Sequence, residues 1–265
     1  MNKLIKQGPL LFAIAILSYG AENLACAHYG ITVRGVPWFP INPFLGYLTG
    51  IALIAASLSI VFNVRARLTA ILLGILFLLY VLFLEAPLVV AKPMNIGIRT
   101  VFFEALSMGG AALTLAAILP AGAASRQWDS VLDKLIWSGP YLFAVSLIVF
   151  GVDHFLILDF IASLVPAWIP WHLFWAYFTG AAFIAAGIAI LIRRMDRLGA
   201  TWLGIMFMLW FLLLHSPRVV NAFRSHNPNI QNEWSSAFIA LGMCGGCWIV
   251  ACHAQRPCLR SHRQD

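Results

Sequence analysis

Charged residues are scarce in this chain: Asp, Glu, Lys and Arg make up only 10% of its 265 residues. Soluble domains usually carry about 25% of these residues. Hydrophobic residues account for 62%, and the mean hydropathy is +0.88. This balance excludes a solvated surface around a single core and indicates a chain whose surroundings are mostly lipid.

The motifs of several soluble enzyme classes are also missing. The chain contains no G-x-S-x-G nucleophile elbow, no Walker A loop and no H-E-x-x-H zinc motif. The net charge of +7 is not gathered on a basic, aromatic-rich face, so nucleic-acid binding is not expected. No stretch outside the apolar segments is long enough to form a soluble domain with its own active site.

Long apolar segments dominate what is present, and each is close to the roughly 20 residues that cross a membrane. Backbone polar groups in lipid must pair within the segment, so the segments are predicted to be helices. The predicted fold class is therefore all-α, a polytopic membrane protein with eight transmembrane helices. Their approximate bounds are 8–28, 44–63, 68–88, 101–120, 136–158, 174–192, 198–217 and 235–254.

The basic residues favour one orientation. If the N-terminus is cytoplasmic, 12 of the 17 Lys and Arg residues fall in cytoplasmic segments and 5 in outer loops. This bias follows the positive-inside rule and predicts that both termini are cytoplasmic. The five on the outer side are Arg34, Lys92, Arg99, Arg218 and Arg224.

A tandem repeat organises the chain. GPLLFAIAILSYGAEN (8–23) returns as GPYLFAVSLIVFGVDH (139–154), and from Trp38 and Trp168 onward the offset is a constant 130 residues. The last helices match more loosely, at Gly109-Gly110 and Gly245-Gly246. Each copy holds an even number of helices, so both enter the membrane from the same side and form a parallel repeat.

The repeat also bears on the N-terminus and on the domain bounds. Residues 8–28 resemble a signal peptide ending in LACA, but they match an internal helix and are therefore predicted to be retained. The predicted organisation is a first four-helix module over 1–120 and a cytoplasmic linker over 121–135. A second module with a basic C-terminal tail follows over 136–265.

The second copy carries the more specific pattern. GVDHF (151–155), then VPAWIPWHLFWAYFTGAAFIAAG (165–187), then a basic turn, resembles the DoxX-like membrane protein family. The first copy is divergent, with Glu22 and Asn23 in place of Asp153 and His154, and with Glu85 (in EAPLVV) in place of His215 (in HSPRVV). The family takes its name from the small subunit of a thiosulfate:quinone oxidoreductase. The resemblance implies a bacterial inner-membrane protein that engages a quinone, as a subunit of a redox system.

Ionisable residues are concentrated in the predicted outer half of the membrane, where they are costly and usually face a bundle interior or a wet cavity. We therefore expect an outward-facing polar vestibule. His215, Arg218 and Asn221 have three-residue spacing and could share a helical face. The candidate ligand-binding residues are Asp153, His154, His215, Arg218, Glu22, Asn23 and Glu85.

Three interpretations of this polar cluster stay open. The groups could satisfy each other across helices and hold the two modules together. They could bind a quinol head group, with a histidine as proton acceptor and Asp153 orienting it. His154 and His215 could instead ligate a metal or haem. The corresponding function is a quinone-interacting subunit or, alternatively, a non-catalytic scaffold or small-molecule carrier.

Two further features have structural and functional interpretations. GVPWFPINPF (35–44) and VPAWIPWHLFW (165–175) are expected to be rigid loops with an aromatic belt, or else lids over the vestibule. Cys244 and Cys247 enclose Gly245-Gly246, and MGGA (108–111) stands at the matching place. The shared Gly-Gly indicates helix packing, and a dithiol redox pair is the alternative.

Overall fold

The computed structural model describes residues 2–27, 43–120 and 130–254. Within these ranges the secondary structure is helical, which confirms the all-α prediction. Eight helices, called spans 1 to 8 here, are long and apolar enough to cross a membrane, so the chain is a polytopic membrane protein. They are Asn2–Ala27, Pro43–Val61, Ala66–Ala91, Ile96–Ile118, Val131–Leu156, His172–Leu191, Asp196–Arg224 and Ile230–His253.

The predicted ends of the third and seventh helices, at about 88 and 217, are too early, because both helices continue past their prolines. Span 7 runs through Pro217 to Arg224, and span 3 runs through Pro87 to Ala91. A helix begins at Ser130, within the predicted linker over 121–135, and its first buried residue is Ile136. The rest of that linker, residues 35–42 of the first predicted loop, and the C-terminal tail from residue 255 onward lie outside the described residues.

The prolines in spans 3 and 7 are accommodated by a change of helix type. Each span contains one π-helical turn, at Val81–Glu85 and Phe211–His215. Ala86 N–H bonds to the Val81 carbonyl five residues back, and Ser216 N–H bonds to Phe211 in the same way. The wider turn ends two residues before the proline, which lacks an N–H and would otherwise leave a gap in the helix.

The two modules share these backbone features at equivalent positions. The π-helical turns are separated by the 130-residue offset of the repeat. The turn between spans 2 and 3 has positive φ angles at Asn63 (54°) and Arg65 (51°), and the turn between spans 6 and 7 has them at Arg193 (54°) and Met195 (59°). The repeat is therefore visible in backbone conformation as well as in sequence.

Helix packing joins the two modules along two seams, one between spans 8 and 1 and the other between spans 4 and 5. Consecutive spans contact each other from span 1 to span 8, span 8 returns to span 1, and spans 4 and 8 pack against each other. Spans 1, 2, 3, 4 and 8 therefore enclose one interior, called ring one, and spans 5, 6, 7, 8 and 4 enclose another, called ring two. Each ring consists of one module plus the last span of the other.

Glycines allow the backbones to approach at both seams. A Cβ on Gly245 in span 8 would lie 2.5 Å from the Phe12 nitrogen and 2.9 Å from the Gly8 oxygen in span 1. A Cβ on Gly110 in span 4 would lie 2.7 Å from the Gly139 oxygen in span 5. Gly110 is thus the structural counterpart of Gly245, one residue away from the pairing expected from the sequence.

The loop between spans 5 and 6 follows the predicted pattern. Span 5 ends near Leu156, a short helix covers Leu158–Leu164, and the chain is then non-helical until His172 begins span 6. Pro166 and Pro170 lie in the non-helical stretch, which confirms that paired prolines interrupt the helix there. Trp168 and Trp171 are exposed, as residues of an aromatic belt are.

We expect Gly245→Ala to lower the free energy of unfolding by about 1–3 kcal/mol, because the added methyl group overlaps the backbone of span 1. Denaturant titration in mixed micelles, followed by circular dichroism, measures this. Gly97→Ala is the matched control, since its nearest neighbouring atom is the Asn95 side chain at 3.4 Å. Equal stability of the two variants would contradict the close backbone contact between spans 1 and 8.

Candidate functional site

All seven candidate residues lie at the same end of the helix bundle, in spans 1, 3, 5 and 7. Hydrogen bonds that cross between spans show this arrangement directly, because they link the ends of these spans to the beginnings of spans 4 and 8. The structure does not gather the seven into one cluster. Spans 4 and 8 separate Glu22, Asn23 and Glu85, in ring one, from the other candidates.

Asp153 holds the two modules together through an ion pair. Its carboxylate is buried, and it accepts from Arg99 Nη2 and, at 3.3 Å, from Arg99 Nε. Arg99 lies in span 4 and Asp153 in span 5, so the bond crosses from the first module to the second. Arg99 was predicted to lie on the outer side, but its pairing with Asp153 could not be derived from spacing.

Glu22 makes the corresponding contact at the other seam. Ser235 Oγ in span 8 donates to Glu22 Oε1 in span 1 at 2.5 Å, and both residues are buried. The neighbouring Trp234 donates its indole N–H to Ser18 Oγ at 2.8 Å. Trp234 matches Arg99 when Gly110 is matched with Gly245. In each module the acid of the first span is therefore bonded by the last span of the other.

His154 faces the interior of ring two. Its Nδ1 lies 2.7 Å from the Phe150 carbonyl oxygen, and its ring is stacked on Trp210 at 6.0 Å with a 12° interplanar angle. Phe183 lies 5.0 Å from the imidazole on another side. A carbonyl can only accept, so Nδ1 carries the hydrogen and Nε2 is the atom that can accept a proton.

His215 is the last residue of the π-helical turn in span 7. Its Nδ1 is buried, and no hydrogen-bond partner for it occurs in the described ranges. Arg218, one turn further, donates from Nε and Nη2 to the two oxygens of Glu233 in span 8, each at 2.7 Å. Glu233 is thus a further member of the expected group of His215 and Arg218, and the sequence analysis missed it.

Glu85 occupies in ring one the position that His215 occupies in ring two. The carboxylate is buried and accepts from the Tyr80 hydroxyl at 2.7 Å. Tyr80 and Trp210 are equivalent by the 130-residue offset, so both rings place an aromatic residue five positions before the polar group. This pairing was missed in the sequence, although the repeat offset contained the signal.

A metal site finds no support in this geometry. Among the described residues no group of three or more His, Cys, Asp and Glu side chains is arranged to hold a metal ion. The Asp153 carboxylate is already paired with Arg99, and His154 directs Nδ1 to its own backbone. A metal ion held by His154 and His215 therefore lacks a third His, Cys, Asp or Glu ligand among the described residues.

The cysteines of span 8 lie in packing positions. Cys244 and Cys247 are fully buried free thiols. Gly245 between them contacts span 1, and a Cβ on Gly246 would lie 2.6 Å from the Phe143 ring of span 5. The Gly-Gly pair thus allows span 8 to contact two helices at once, which favours the packing interpretation.

Comparison with known proteins places one similarity in the second module. A family model described as "Domain of unknown function (DUF8561)" matches residues 143–241, which include His154, Trp210 and His215. No curated protein and no solved structure matches the chain. The resemblance to the DoxX-like family stays a prediction.

We expect Arg99→Ala to lower the free energy of unfolding by about 3–5 kcal/mol, because it leaves the Asp153 carboxylate buried without its counter-charge. Arg218→Ala is the matched control, since that side chain is 40% exposed and should cost about 1 kcal/mol or less. Chemical unfolding in mixed micelles measures the free energy of unfolding of both variants.

The double variant Arg99→Met, Asp153→Leu tests whether the unpaired buried charge, and not the loss of the Arg99 side chain itself, causes the instability. An apolar pair of similar size removes both charges and should recover most of the lost stability. A double variant as unstable as Arg99→Ala would contradict the ion-pair explanation.

Proposed function

We propose that the second module binds a quinone, or a lipid-soluble aromatic molecule of similar size, within ring two. The observation that carries this proposal is the pair of imidazoles with available nitrogens at one end of the bundle. His154 has Nε2 available as an acceptor, and His215 has a buried Nδ1 with no bond to any described residue.

The residues present fit the chemistry of such a ligand. A quinone head group is flat and carries oxygens on opposite sides of its ring, and it exchanges protons together with electrons. Trp210 and Phe183 provide aromatic surfaces beside His154 for a flat ring to contact. An imidazole whose Nδ1 is committed to a backbone carbonyl can take a hydroxyl proton at Nε2.

The resemblance to the DoxX-like family supports a role as a subunit rather than as a complete enzyme. In this proposal a partner redox subunit supplies or receives the electrons. In this proposal Asp153 is a positioning residue, because its ion pair with Arg99 fixes span 5 and with it the neighbouring His154.

A non-catalytic scaffold or small-molecule carrier is the second candidate, and a different observation favours it. Asp153 and Glu22 are both bonded across the module seams, as expected of groups that stabilise an assembly. In a scaffold, the polar residues serve to hold the two modules together. In a carrier, the histidine nitrogens without partners would also contact the transported solute.

The proposed location is the bacterial inner membrane, with both termini cytoplasmic. The distribution of Lys and Arg supports this orientation, because 12 of 17 lie in segments on the side of the termini. The candidate residues would then lie in the outer half of the membrane.

We expect His215→Gln to weaken binding of decylubiquinone at least about tenfold, because a charge-capable hydrogen bond is lost. Binding is measured in lipid nanodiscs by quenching of tryptophan fluorescence, since Trp210 lies in ring two. His226→Gln is the matched control, because His226 is exposed in the turn before span 8.

Two results would contradict the quinone proposal. One is an absence of saturable quenching beyond that of empty nanodiscs. The other is equal affinity in His215→Gln and His226→Gln. Uptake of a small solute by vesicles containing the protein, lost in His215→Gln, would favour the carrier instead.

We expect a cysteine at Asn227 to react with a membrane-impermeant maleimide added to intact cells, and a cysteine at Arg194 to react only after the membrane is opened. Both side chains are exposed, in the turns on opposite sides of span 7. The variants are Asn227→Cys and Arg194→Cys in a background without native cysteines. The reverse labelling pattern would show that the termini lie outside.

A further inference from the structure

We propose that the end of the bundle opposite the histidines binds the phosphate of an anionic phospholipid. The site, called the basic corner here, is formed by the start of span 1, the turn between spans 6 and 7, and the start of span 7. Its five cations are Lys3, Lys6, Arg193, Arg194 and Arg197. This inference does not depend on the quinone proposal, because Arg197 precedes His215 by 18 residues, roughly 27 Å along a helix.

Arg197 connects the two chain segments that form the corner. Its Nη2 donates to Asn2 Oδ1, so the first residues of span 1 lie against the start of span 7. Lys3 follows Asn2 directly, and the Lys6 N–H bonds to the Asn2 carbonyl at 3.4 Å. Both lysines therefore belong to the segment that contacts the Arg197 guanidinium.

The charge of Arg197 is not balanced within the described residues. Asn2 is neutral, and Arg197 forms no ion pair with any described acid. Its Nε is buried and has no hydrogen-bond partner in the described part of the chain. An unpaired guanidinium N–H is a charged donor, and a phosphate oxygen is among the strongest acceptors for it. The side chain as a whole is partly exposed, so an anion can reach it from the surface.

The other cations of the corner add to this excess of positive charge. All four are exposed, and none forms an ion pair within the described ranges. Asp196 is the one acid in these segments, and it accepts from the Arg197 backbone N–H at 2.8 Å. Five positive charges therefore face one negative charge, and a bound anion relieves their mutual repulsion.

Apolar side chains beside the cations favour a lipid over a free anion. A soluble phosphate gains nothing from exposed apolar surface, whereas the acyl chains of a phospholipid lie directly below its phosphate. Basic pockets between transmembrane helices on the cytoplasmic side bind anionic head groups in this way. The exposed apolar residues in the same segments are Leu4, Ile192, Met195 and Leu198.

The repeat shows that positive charge is concentrated at this corner. The equivalent positions of the first module hold three cations, Arg65, Arg67 and Lys134, and one acid, Asp133. That corner therefore has an excess of two positive charges (3 − 1), against four (5 − 1) at the basic corner. The positive-inside rule requires cations at this end of the bundle, but it does not require their concentration at one corner.

The test measures lipid binding to the full-length protein by native mass spectrometry from detergent micelles. Dioleoylphosphatidylglycerol is the anionic lipid, and dioleoylphosphatidylcholine has the same acyl chains without net charge. We expect the double variant Arg193→Gln, Arg194→Gln to weaken binding of the anionic lipid at least about tenfold, because two positive charges are removed. The double variant Lys92→Gln, Arg224→Gln is the matched control, since it removes two exposed cations at the opposite end of the bundle.

Arg197→Gln should weaken binding of the anionic lipid as well, because the unpaired guanidinium is lost. If this variant folds poorly, the Arg193, Arg194 double variant still decides, since both of those side chains are exposed. Three results would overturn the proposal: equal binding of the two lipids, equal loss of binding in the two double variants, or displacement of the lipid by an equal concentration of inorganic phosphate. The third would identify a site for free phosphate instead of a lipid.

Discussion

The close backbone contact of the first span of each module with the last span of the other is the constraint on which the rest of the structure depends. Gly8 against Gly245 and Gly139 against Gly110 allow the helices to approach until backbone atoms meet. Lipid provides little hydrophobic drive for helices to associate, so close packing and hydrogen bonds between spans must supply it. The two seams fix spans 4 and 8 between the rings and determine which side chains can meet.

The polar residues follow from this arrangement. Asp153 and Glu22 lie at equivalent places near the seams, and each is bonded by the last span of the opposite module. The residue that follows each acid differs between the modules: it is His154, beside Phe183 and Trp210 in ring two, and Asn23 in the first module. One position in each pair therefore contributes to assembly, and the residue after it takes no part in that bond.

The helical class, the number of spans and the repeat could be predicted, because hydropathy and sequence offset are local properties. The ends of spans 3 and 7 could not, since a π-helical turn lets a helix pass through Pro87 and Pro217. The sequence singled out Asp153 and His154 as candidate site residues, but it did not show that Arg99 pairs with Asp153. That pairing depends on which helix of the first module packs on span 5. The division into two rings depends on the same tertiary contacts.

The π-helical turns indicate that the two modules descend from one ancestral module. Both modules contain a π-helical turn at the same place, and both have positive φ angles at equivalent positions of the turn at the opposite end. Inheritance from a common ancestor explains this more simply than two independent origins. A single-module ancestor with this backbone would have left the last helix of each copy without the neighbour that it has here. Such an ancestor would have had to associate as a symmetric dimer to provide that neighbour. In the fused chain the equivalent positions are free to differ, as Glu85 and His215 do.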